Sequence, residues 1–148
     1  MLTFSSLWTK PQSCKVNINI AKGLFSALHA VHCQGLSFKE LTDGDVIYID
    51  DDFTFIFDVE TKPCTDPHND CKDAAFMCVE VITTGNAAIC TNDEDECMFQ
   101  DDPNYLECIE EKLSRDYTMY EDLNYVLLDI FRGKLTTAHD VLQKLNKL

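Results

Sequence analysis

The stretch from Gly35 to Glu60, GLSFKELTDGDVIYIDDDFTFIFDVE, constrains the fold more than any other part of the chain. Two short runs, Val46–Ile49 and Phe53–Phe57, alternate apolar and polar positions at period two, the pattern of half-buried strands. Between them stands the acidic triplet Asp50-Asp51-Asp52, which is turn chemistry. The segment therefore predicts a short apolar entry, a polar loop and a two-stranded hairpin.

The rest of the chain reads as mainly helical. Residues 16–32 carry apolar side chains at helical spacing (Ile20, Leu24, Ala27, Leu28, Val31), with Gly35 as the stop signal. After the hairpin, Thr61 to Asp70 reads as a Pro/Asp-rich loop, and residues 71–83 as a helix ended by Gly85. A long polar loop then runs through TNDEDE to Asp101-Asp102-Pro103. Residues 104–114 and 119–131 repeat apolar positions at i, i+3, i+4 and i+7, and a last helix, Ala138 to Leu145, is capped by Thr136 or Thr137. A chain of 148 residues that is 45% hydrophobic can bury a proper core without a staple.

Several of these segments, taken in order, resemble the C-lobe of a protein kinase. Phe38-Lys39-Glu40-Leu41 falls on the H-R-D-L of the catalytic loop, Asp45 on its metal-binding Asn, and Asp58-Val59-Glu60 on D-F-G. Downstream, the run from Asp73 to Gly85 is similar to the buried central helix of that lobe. Upstream, Ile20 to His32 is similar to the long helix before the catalytic loop, with Leu28-His29 as its signature. Leu135 to Leu142 resembles the closing helix. The similarity covers residues 16 to 146 and implies a kinase C-lobe-like domain over 16–148, preceded by an extension, 1–15. It implies a mainly α fold with one small β-hairpin.

What the family needs for catalysis is largely missing. A kinase requires an N-terminal lobe with a Gly-rich loop and a lysine on its third strand. Only about fifteen residues precede the first helix, too few for that sheet. Between Asp58 and Asp73 there is room for only a fraction of an activation segment, and no A-P-E occurs. The Arg that pairs with the Glu of A-P-E is matched here by Leu135. Losing both partners avoids an orphaned buried charge, a cost of about 3–5 kcal/mol.

Glu40, Asp45 and Asp58 stand on the positions of the catalytic base and the two magnesium ligands, while Thr42 replaces the lysine that steadies the phosphate. Glu is one methylene longer than Asp and displaces the base. Three carboxylates can still attract a hard cation weakly, but the expected state is a solvated acidic loop with no catalytic residue, no ATP binding and no cofactor. The eight cysteines raise a separate question. Cys64, His68, Cys71 and Cys78 give C-x3-H-x2-C-x6-C, the right ligand types for zinc but without a tight C-x2-C pair. His29 and His32, three apart on one helix, also suit a metal, although one of them matches a structural position of the family. Free thiols are the expectation, with zinc or a disulfide as the alternatives, because the N-terminus MLTFSSLWTKPQSCK lacks the pattern of a signal or transit peptide, which points to a cytoplasmic or nuclear protein.

The formal net charge of −14 argues against nucleic acid and against anionic membrane surfaces as partners. Its natural complement is a basic peptide or protein surface; the plainer use of so much acid is solubility. The acid-rich candidates for a partner-binding surface are Asp50, Asp51 and Asp52 at the hairpin turn, with Asp93, Glu94, Asp95, Glu96, Asp101 and Asp102 in the long loop. Two function classes follow from the resemblance. One is a non-catalytic interaction module similar to the KIND domains, which bind short basic peptides. The other is a pseudokinase decoy that docks on an authentic kinase and inhibits it, as truncated kinase-like viral proteins do. A metal-binding protein is a distant third.

Overall fold

Helix α1 (Cys14–Cys33) begins where Ser13 accepts a hydrogen bond from the Val16 amide at 3.1 Å, a side-chain N-cap. Its buried stripe is Ile20, Ala21, Leu24, Phe25 and Leu28; of the expected apolar face Ile20, Leu24 and Leu28 are buried, while Ala27 and Val31 are half-buried. Gly35, at φ +74°, ends the helix in the left-handed conformation that favours glycine. This geometry comes from a computed structural model, which describes residues 2–48, 52–85, 98 and 102–148.

The expected hairpin is present as β3 (Val46–Tyr48) and β4 (Phe55–Phe57), antiparallel with Ile47 opposite Ile56. Alternation holds: Val46 and Phe55 are buried, while Ile56 is 46% exposed. The β content nevertheless exceeds one hairpin. Leu2–Thr3 forms β1 against β3, making a three-stranded sheet in the order β1-β3-β4. Leu36–Phe38 (β2) and Thr61–Pro63 (β5) form a second, two-stranded antiparallel sheet with Ser37 opposite Lys62. These additional strands have at most three residues, too few to show a period.

The segment read as a loop over Thr61 to Asp70 is thus corrected at both ends. It opens with β5 and closes with the first turn of α2 (Pro67–Ile82). Asp66 caps that helix by accepting from the His68 amide, and Pro67 sits where its missing N–H costs nothing. Buried side chains ring α2 on most of its circumference, from Cys71 and Ala74 to Val81 and Ile82, which makes it the central helix of the core. It packs on α1, on β2 and on α4 (Glu121–Phe131).

Helix α3 (Tyr105–Asp116) buries Tyr105, Ile109 and Leu113, and α5 (Ala138–Leu145), capped by Thr137, packs on α1. The fold is mainly α. Among the described residues no helix is long and apolar enough to cross a membrane. Residues 1–15, expected as an extension, contribute to the core: Phe4 is fully buried in a 3-10 turn (Phe4–Trp8), Leu7 is nearly so, and Phe4 meets Phe55 at 5.5 Å between ring centroids.

Candidate functional site

Two buried acids on α2 hold the polar loop that follows β2. Asp70, 1% exposed, accepts from His32 Nε2 at 2.8 Å and from the Phe38 amide at 3.3 Å. One turn later Asp73, 8% exposed, accepts from the Leu41 amide at 3.2 Å. Acids three apart on one helix face thus receive amides three apart on the loop. A carboxylate in this setting is kept by its donors, because a buried charge without them is expensive.

The loop so anchored roofs a cavity of about 350 Å³ over α2. Glu40 and Asp43 come from the loop, and Asp73 and Glu80 from α2 at i and i+7. Trp8, Leu41, Phe76 and Met77 supply apolar walls. Behind Phe76 lies Tyr105, their ring centroids 5.7 Å apart. Burial first, and the charge of Glu80 second, push the Tyr105 phenol well above its ordinary range.

Glu40, Asp45 and Asp58 do not act as one group. Glu40 is exposed at the cavity mouth. Asp45 is committed locally: its Oδ2 accepts from the Thr42 amide at 3.2 Å and from the Thr42 hydroxyl at 3.0 Å, closing a capping box on the 3-10 turn Asp43–Asp45. Asp58 is exposed, and its amide donates to the Asp45 carbonyl at 2.7 Å. Of the acidic surface candidates, Asp52 is exposed and Asp102 accepts from the Asn104 amide at 2.9 Å. Asp50, Asp51, Asp93, Glu94, Asp95, Glu96 and Asp101 lie outside the described residues.

The cysteine and histidine candidates separate in space. His68 donates from Nε2 to the Ile130 carbonyl at 2.7 Å, a helix-to-helix tie. Cys71 and Cys78 are buried thiols pushed up to about 12, Cys78 by burial alone and Cys71 by burial with help from Asp70, Asp66 and Cys64. Among the described residues no three His, Cys, Asp or Glu side chains are placed to hold a metal. His32 is used structurally by Asp70. His29 instead meets Cys33 Sγ at 3.5 Å and the His139 ring at 5.7 Å, in a shallow cleft. The expectation of free thiols is corrected at Cys108, which is disulfide-bonded. Such a bond forms and persists most readily in an oxidising compartment.

Trp8, Asp43 and Phe76 were not among the site residues expected from the sequence. Asp43 sits in an acid-rich loop and carried a usable signal; Trp8 carried none, because only the tertiary fold brings it over α2. No family model matches the chain, and no curated protein and no solved structure matches it either.

Proposed function

We propose that the chain is a non-catalytic protein-interaction module on a kinase C-lobe-like scaffold, and that it binds a basic segment of a protein partner. Supporting the scaffold is the order of elements: a long helix, an anchored loop, a hairpin, a buried central helix and three further helices. Supporting the loss of catalysis is Asp45, whose carboxylate closes a turn on Thr42, the residue standing where the phosphate-steadying lysine is expected. The observation that carries the binding reading is the cavity over α2. Its described lining offers four carboxylates and no lysine, arginine or histidine, in a protein of net charge −14.

The test is fluorescence anisotropy with labelled, capped peptides alternating glycine with arginine, lysine or glutamate. Both basic peptides bind at low salt and weaken as salt rises, while the acidic peptide does not bind. ATP with magnesium gives no saturable thermal shift; even occupancy at the dissociation constant would add about 0.4 kcal/mol. Equal behaviour of acidic and basic peptides refutes the binding reading, and a saturable ATP shift abolished by Asp58→Asn refutes the non-catalytic one.

A further inference from the structure

We infer that the cavity over α2 is an arginine pocket: a partner's arginine side chain enters beside Trp8 and Phe76, and its guanidinium is held by Glu40 and Asp43. This rests on the reading above, that the partner is basic, and names the group recognised.

The walls and the charges have to be satisfied by one occupant. An anion is repelled by the lining. A neutral apolar group would match Trp8 and Phe76 but would strip water from carboxylates without replacing it. A hard metal ion asks for an all-oxygen shell, whereas half of this described lining is apolar, and no three described acids are placed to hold one. A flat cation on an apolar stem fits both parts. Guanidinium stacks on an indole face and presents five donors in a fixed fork, which two carboxylates can accept together. Lysine offers a point charge and no fork. Asp73, engaged by the Leu41 amide, and Glu80, which is likewise engaged, add field rather than free acceptors. The volume, about 350 Å³, lies at the small end of ligand sites and suits one side chain with its adjoining backbone.

Trp8 is set in advance. Its ring edge lies on Gly85, where a Cβ would come within 2.3 Å of it. Gly85 also takes φ +85°, so two independent demands exclude a side chain at that position.

Trp8 is the single tryptophan of the chain, so its emission reports the pocket directly. The full chain is titrated with capped peptides alternating glycine with arginine, lysine or citrulline, following both Trp8 emission and peptide anisotropy. The arginine peptide is expected to bind about tenfold tighter than the lysine peptide, the equivalent of one bidentate contact, and to change Trp8 emission; the citrulline peptide does neither. Glu40→Gln, at an exposed position that leaves the fold intact, weakens arginine binding about tenfold and narrows the gap to lysine. If arginine and lysine bind alike and Glu40→Gln changes nothing, the pocket is overturned while the basic-partner reading stands. An arginine preference with silent Trp8 and an indifferent Glu40→Gln places recognition elsewhere and also overturns it. If neither basic peptide binds at low salt, both readings fall.

Discussion

Replacing His32 by alanine should unfold this protein more easily than any surface change, because of what it leaves behind. Asp70 is 1% exposed and its strongest partner is His32 Nε2 at 2.8 Å. The remaining described donor, the Phe38 amide, is 3.3 Å and 3.4 Å from the two carboxylate oxygens, longer than a good hydrogen bond. Removing the best donor to a buried acceptor typically costs about 1–3 kcal/mol. Here the upper part of that range applies, because Asp70 is 1% exposed, with the extreme tempered by water that reaches the acid once the 10% exposed His32 side chain is truncated. The expected loss is therefore about 2–3 kcal/mol, or about 4–12 °C in Tm for a chain of this size.

Urea denaturation followed by far-ultraviolet circular dichroism measures it, with the midpoint falling and the slope unchanged. A double-mutant cycle with Asp70→Asn isolates the contact, and a coupling of about 1.5–3 kcal/mol is expected for a hydrogen bond to a charged group. Asparagine keeps an acceptor for the Phe38 amide, so the double variant should recover part of what His32→Ala loses. A loss below about 0.5 kcal/mol in the single variant, or no coupling in the cycle, refutes the claim that Asp70 depends on His32.

Gly23→Ala on α1 would normally gain about 1 kcal/mol of helix propensity; here it should lose about 1–2 kcal/mol, because the new Cβ falls 2.0 Å from the Phe53 carbonyl oxygen, in a segment already held at φ +57°. A stabilised Gly23→Ala in urea denaturation would show that the chain near Phe53 moves freely away from α1. Cys71 and Cys78 titrate near 12 in the fold against an ordinary value of 9.0, so between those limits the unfolded chain releases protons that the folded chain keeps. Their contribution is complete below pH 9 and is lost as pH rises from 9 toward 12. The slope is about 1.4 kcal/mol per pH unit for each thiol, and the Cys71→Ala/Cys78→Ala variant should flatten it in alkaline melts; an unchanged slope would refute the assignment.

How much of this was legible follows from the range of each interaction. The hairpin and α1 could be read because their signal is a local period, carried by Val46, Phe55 and Ile56 in one case and by Ile20, Leu24 and Leu28 in the other. Strands β2 and β5 carry no such signal: Ser37 and Lys62 pair across 25 residues of sequence, and three residues cannot show a period. The start of α2 was misplaced although Asp66-Pro67 is an N-cap followed by a first-turn proline, because a cluster of Pro and Asp also reads as a loop. Asp70 and Asp73 were obscured by their charge. A periodicity argument assigns acids to solvent, and only the amides of Phe38 and Leu41, about thirty residues upstream, make burial affordable. Of the acids singled out in the loop, Glu40 lines the cavity, while the Asp45 carboxylate is taken by its own turn.

The N-terminal segment connects the core to the acidic cavity. Leu2 pairs with Tyr48 and extends the hairpin into a three-stranded sheet, Phe4 is fully buried beside Phe55, and Trp8 closes over Gly85 at the end of α2. These contacts cover core surface that the sheet and α2 would otherwise expose, and the last of them also builds the apolar wall of the acidic cavity. Burying Phe4 and Leu7 contributes about 1.5–3 kcal/mol each by area. Trp8 is therefore kept over α2 in part by residues that do not line the cavity. The loop on the opposite side is held by Asp70 and by Asp73, the latter itself a lining residue, rather than by Glu40 or Asp43. For the arginine occupant proposed above, walls held by these contacts would leave little ordering to be done on binding.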